Sequence, residues 1–168
     1  MRFIFVDRIV GAEPGRRIET LKNVSATEDV FADHFPGYPV LPGALIVEGF
    51  AQACQLLIAM SHDFTEIGRL ERLSRVAFAR AVRPGDQLRI RCDRRTGDGA
   101  WALDATATVD GSRVATATLE YRLERAAPST GARRQADRLR ALQRELQPAP
   151  SVTQLRGSAA PAPGGVDE

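Results

Sequence analysis

Residues 43–61, GALIVEGFAQACQLLIAMS, are apolar almost all the way round. Leu45, Ile46, Val47, Phe50, Leu56, Leu57 and Ile58 fall on every side of a 3.6-residue period, so a helix here has almost no face to give to solvent and must be enclosed by other elements. Its polar exceptions, Glu48, Gln52 and Gln55, are spaced i, i+4, i+7 and share one stripe. Those three residues, and a length short of the roughly 20 residues of a membrane span, argue against a bilayer as the enclosing medium. The helix reads as one buried in a protein core.

The rest of the chain supplies it. Residues 2–10 read as a strand, Glu13-Pro14-Gly15 as a turn, and Ile18 to Ser25 as a second extended run. Arg75 to Arg83 is extended and ends in the turn Pro84-Gly85-Asp86. Leu88, Ile90 and Cys92 alternate with charged residues, and Gly97-Asp98-Gly99 turns the chain. Trp101, Leu103, Ala105, Ala107 and Val109 alternate next. Asp110-Gly111 is a hairpin signal, and Ala115, Ala117, Leu119, Tyr121 and Leu123 follow in the same two-residue period. The last three strands are expected to form an antiparallel meander. The fold class is therefore α+β, one domain over residues 1–125.

After Arg125 the composition turns to Ala, Pro, Gly, Ser and Arg. Residues 126–168 read as a largely disordered tail that forms a basic amphipathic helix at 133–146 only transiently, with Leu139, Leu142 and Leu146 on one face.

With 168 residues and 43% hydrophobic content the chain can bury one core, and a net charge of +2 is too small for a nucleic-acid binder. Lys22 is the only lysine, while Arg69, Arg72, Arg75, Arg80 and Arg83 cluster mid-chain. Cys54 and Cys92 are too few for a disulfide framework or a zinc site and read as buried free thiols. The opening MRFIFVDRIV lacks the apolar stretch of a signal peptide, so a cytoplasmic setting is expected, with no membrane.

The passage before the helix, His34-Phe35-Pro36-Gly37-Tyr38-Pro39-Val40-Leu41-Pro42-Gly43, holds three prolines and two glycines in ten residues, so it is a stiff, shaped loop. A carboxylate on the first turns of an enclosed helix is costly unless something binds it, and burial favours its protonated form. His34 supplies a second titratable group. The helix N-terminus that Pro42-Gly43 opens supplies N–H donors for a developing negative oxygen, and the glycine lets a carbonyl approach the backbone. These are the parts of an acid-base site.

The run from His34 to Glu48, followed by Ala51-Gln52, resembles the signature of the bacterial 3-hydroxyacyl-acyl-carrier-protein dehydratases. Phe5-Val6-Asp7-Arg8, Glu13-Pro14-Gly15, Lys22-Asn23-Val24 and Arg83-Pro84-Gly85-Asp86 agree with it, and the likeness covers roughly residues 1–124. The resemblance implies a hotdog fold: an antiparallel sheet wrapped round one long helix, with two chains forming one continuous sheet and the active site at their interface. It implies His34 as base and Glu48 as acid, facing each other from different subunits. It implies Gly43 as N–H donor to the thioester oxygen, Gln52 as the residue holding Glu48 or a water, and Phe35, Pro42 and Phe50 as substrate-binding residues. The substrate would ride on the phosphopantetheine arm of an acyl-carrier protein, and no cofactor or metal is required. Carrier docking is expected at Arg69, Arg72 and Arg75, since carrier proteins are acidic. The assembly would be a homodimer or higher oligomer, a heterodimer with a paralogue being the alternative.

The chain departs from the pattern in places. Leu41 stands where methionine is usual and Tyr38 where arginine is common. The usual segment before the first strand is missing, and the Arg-rich tail points to polyketide or polyene assembly instead of fatty-acid synthesis. Competing readings are a dehydratase that also isomerises the double bond, a hotdog thioesterase, and a non-catalytic carrier-binding partner subunit.

Overall fold

The computed structural model describes residues 3–97, 101–128 and 130–147. Six strands form one antiparallel sheet: β1 (Arg8–Glu13), β2 (Arg17–Asn23), β3 (Glu66–Phe78), β4 (Gln87–Arg94), β5 (Trp101–Val109) and β6 (Ser112–Arg125), in the order β1-β2-β4-β5-β6-β3. Helix α1 (Gly43–Ser61) follows a 3-10 turn at Asp29–Ala32, and helix α2 (Gly131–Leu146) follows β6. The meander read from the sequence is β4-β5-β6. The expected turn at Gly97-Asp98-Gly99 lies partly outside the described residues.

Helix α1 lies in the curve of the sheet and touches β2, β3, β4, β5 and β6. Its Phe50, Ala53, Cys54, Leu56, Leu57, Ile58 and Ala59 have no accessible surface. They pack against the inward rows Leu88, Ile90, Cys92 of β4 and Trp101, Leu103, Ala105, Ala107, Val109 of β5. The small alanines of β5 leave room for the helix, and Gly49 brings its backbone down onto the sheet: a Cβ there would meet Ile90 Cδ1 at 2.9 Å. Both thiols are free and buried in this core. A hydrogen bond with Cys54, together with burial, pushes the Cys92 thiol up, so it stays protonated packing material.

Three elements differ from the sequence expectation. The first strand begins at Arg8, because residues 3–7 run along α1 before joining β2. Strand β3 begins nine residues earlier than Arg75. Arg69-Leu70-Glu71-Arg72-Leu73 has no two-residue alternation, yet pairing along β6 and cross-strand ion pairs hold it extended. The tail helix is docked: Ala132, Ala136, Leu139 and Leu146 are buried over α1 and β3, and the Thr130 hydroxyl caps it by accepting from the Arg133 amide. The apolar stripe was legible, but its receptor was not. Residues 148–168 lie outside the described residues.

Strand β3 forms one edge of the sheet, 13 residues long. Leu70, Leu73, Val76 and Phe78 on it are 39–53% exposed. A long apolar edge is a liability unless another chain covers it.

Candidate active site

The loop from His34 to Val40 is closed by its own backbone. The His34 amide donates to Val30 O at 3.1 Å and the Val40 amide to His34 O at 3.0 Å. His34 Nδ1 lies 2.8 Å from Val40 O. A carbonyl only accepts, so Nδ1 carries the proton and Nε2 is left with its lone pair in the neutral ring. The Phe35 ring stacks on the imidazole with centroids 4.2 Å apart. The Leu41 amide donates to Val82 O at 2.8 Å, which ties the loop to the segment after β3.

Between loop, helix and that segment lies a cleft of about 370 Å³. His34, Gly43, Ile46, Phe78, Arg80 and Val82 are among its lining residues. Pro42 is the N-cap of α1, and no side chain caps the helix. Among the described residues the Gly43 and Ala44 amides have no acceptor; the first amide to find one is that of Leu45, donating to Pro42 O. An uncapped helix start beside the His34 ring is a ready site for a developing oxyanion.

Glu48 is elsewhere. Gln52 Nε2 donates to Glu48 Oε1 at 2.8 Å and to Phe3 O at 3.0 Å, while Gln52 Oε1 accepts the Phe5 amide at 2.8 Å. The third member of the polar stripe, Gln55, accepts from Gln135 of α2 at 3.4 Å. The stripe is thus covered at one end by residues 3–5 and at the other by α2. Glu48 lies five positions after Gly43, and at 100° per residue this is roughly 140° around the helix axis. Within one chain the histidine cleft and the glutamate lie on different sides of α1.

The remaining expected residues divide. Pro42 is where the sequence put it, at the helix start, and Phe35 is exposed beside His34. Phe50 has no accessible surface and belongs to the core, so it presents nothing to the cleft. The arginines expected to dock a carrier are largely engaged. Arg69 pairs with Glu124, Arg72 lies 3.8 Å from Glu120, and Arg75 interacts with the Asp104 charge. Arg80, on the cleft wall, has no ion pair among the described residues and was singled out only as one of a cluster. Arg83 stacks over the Tyr38 ring and bonds its hydroxyl. Phe78 was missed altogether, since nothing in its local pattern separates it from an ordinary strand residue. No group of three His, Cys, Asp or Glu side chains suited to a metal occurs among the described residues.

A six-stranded antiparallel sheet wrapped round one long buried helix places the chain in the hotdog class of folds. Solved structures agree on the fold. A hot-dog-like protein from Thermanaerovibrio acidaminovorans matches with a TM-score of 0.58 and 16% identity, over 76% of this chain and 93% of its own. A dehydratase heterocomplex, ApeI:P from Xenorhabdus doucetiae, matches with a TM-score of 0.54 and 19% identity, over 72% and 98%. At the level of sequence, the FabA-like domain family matches residues 1–118. The 3-hydroxyacyl-[acyl-carrier-protein] dehydratase FabZ of Granulibacter bethesdensis is 40% identical over 131 residues, 76% of this chain and 77% of that protein. The chain belongs to the FabA-like family and is a relative of the FabZ dehydratases.

Proposed function

We propose that the chain dehydrates 3-hydroxyacyl thioesters carried on acyl-carrier protein to trans-2-enoyl thioesters, in fatty-acid biosynthesis. The observation that carries the reading is the His34 Nδ1–Val40 O bond, which leaves Nε2 as the acceptor nitrogen in the cleft that Gly43 also lines. In the elimination, His34 Nε2 takes the proton from C2 of the substrate. The electron pair left behind is drawn towards the thioester oxygen, which accepts the Gly43 N–H. It then forms the C2–C3 double bond as the C3 hydroxyl leaves. Glu48 gives that hydroxyl its proton, so the departing group is water. Solvent returns the proton from His34 to Glu48. Each positioned acid or base contributes on the order of 10²–10⁴-fold.

The roughly 140° separation of Gly43 and Glu48 around α1 supports a site built from two copies, with Glu48 of one facing His34 of the other. The exposed apolar edge of β3 supports a dimer as well. The fold likeness to a heterocomplex keeps a paralogous partner as the second arrangement. For carrier docking, Arg69 and Arg72 lose support because their charges are spent locally. Arg80 is better placed, on the cleft wall and with no ion pair among the described residues. The setting we propose is the cytoplasm.

The test is mass spectrometry of carrier-bound 3-hydroxyacyl substrates of graded chain length incubated with the purified protein. Loss of one water from at least one of them is expected. No loss from any, with the reverse hydration of the enoyl forms also absent, overturns the reading.

A further inference from the structure

A Cβ built on Gly43 would meet Phe78 Cζ at 2.6 Å, Cε1 at 2.8 Å and Cε2 at 3.1 Å; the three nearest neighbours all belong to one ring. Glycine at the start of α1 therefore seats an aromatic side chain, and a Cβ there would push the ring aside. Phe78 is the last residue of β3, paired with Ala115, and the next amide, Ala79, donates to Val114 O at 2.8 Å. Its backbone is held while its ring is 53% exposed and lines the cleft that contains His34. Unlike Leu70, Leu73 and Val76 on the same exposed edge, Phe78 is among the residues that line the cleft.

We propose that Phe78 is a substrate-positioning residue whose ring forms the apolar wall over the first amides of α1, so that the thioester lies between that wall and His34. The inference rests on the reading of the Gly43 amide as donor to the thioester oxygen. A helix-end amide open to water spends its donor capacity on solvent. The same amide beneath a hydrocarbon face keeps it for the oxygen on which charge develops. Gly43 thus has two separable duties: its N–H serves the substrate, and its missing side chain serves Phe78.

Wild type, Phe78→Ala, Phe78→Leu, Gly43→Ala and the Gly43→Ala/Phe78→Ala double variant separate these duties. Folding is checked by circular dichroism, and kcat and KM are measured on a 3-hydroxyacyl pantetheine thioester. Phe78→Ala is expected to lower kcat about tenfold with KM changed by less than about threefold, the pattern of a contact that acts in the transition state. Phe78→Leu rebuilds an apolar wall and should stay within about threefold of wild type in kcat. Gly43→Ala should cost on the order of 100-fold alone and little further once Phe78 is alanine, because the collision is gone. Two results overturn the proposal: Gly43→Ala costing the same in both backgrounds, or Phe78→Ala turning over like wild type. Either with an active wild type sinks Phe78 alone; a wild type that eliminates no water sinks the functional reading beneath it.

Discussion

Gln52 is hydrogen-bonded to Glu48 Oε1 at 2.8 Å while its other amide atom accepts the Phe5 amide at 2.8 Å, so one side chain orients the Glu48 carboxyl and clamps the N-terminal segment. Gln52→Ala should therefore do two things at once. Losing the bonds to residues 3–5 should lower unfolding free energy by roughly 1–3 kcal/mol, read from urea denaturation. Releasing the carboxyl should lower kcat about tenfold with little change in KM. A variant with wild-type kcat would remove Gln52 from the site.

The separation of His34 and Glu48 around α1 makes a sharper prediction. His34→Ala and Glu48→Gln should each lower turnover by at least about 100-fold. Mixing the two inactive proteins under conditions that exchange subunits should then restore activity, because one site of each mixed dimer receives an intact histidine and an intact glutamate. Activity that stays at the single-variant level after exchange, monitored by native mass spectrometry, would place both groups of each site in one chain.

Helix α2 buries Leu139 and covers Gln55, and Arg140 donates to Asp63 O at 2.9 Å. Truncation after Ala126 should accordingly lower Tm. Leu139→Ala should cost about 2 kcal/mol, the low end for a core leucine at the rim of a core. Differential scanning fluorimetry of the three proteins decides it. A truncated chain as stable as the full one would reduce α2 to an ornament.

Asp104 gives a pH signature. Partial burial alone would raise its carboxyl. Hydrogen bonds from Arg95 and Thr118 and the charges of Arg95 and Arg75 outweigh this and hold it below the usual carboxylate range. A group whose folded value is depressed contributes stability above its unfolded value and loses it as pH falls through the folded one. Asp104→Asn should therefore be less stable than wild type at neutral pH, by under about 1 kcal/mol given its exposure, and the gap should close in acid. Tm against pH for both proteins checks the sign. A gap that widens in acid would contradict it.

The sequence by itself determined the helix and its bounds. An apolar run interrupted only at i, i+4 and i+7, opened by Pro42-Gly43 and stopped at His62, specifies α1 through local period and capping alone. It also determined the β4-β5-β6 meander, because two-residue alternation and the Asp110-Gly111 turn are local signals. The nearness of His34 to Gly43 was legible through the shaped loop, and that of Glu48 to Gln52 through the polar stripe. Only the tertiary structure decided what lies far apart in the chain. Charged β3 became a strand because β6 offered ten pairing positions and opposite charges. That pairing consumed Arg69 and Arg72, which in sequence look free. The stripe of α2 became a docked helix because α1 left a face uncovered, and Phe50 went to the core because β4 lies over it. Phe78 met Gly43 across 34 intervening positions, where no short-range pattern reaches. Local periods act within a turn or two of chain, whereas partners for an edge, a charge or a ring are chosen by which surfaces the folded sheet brings together.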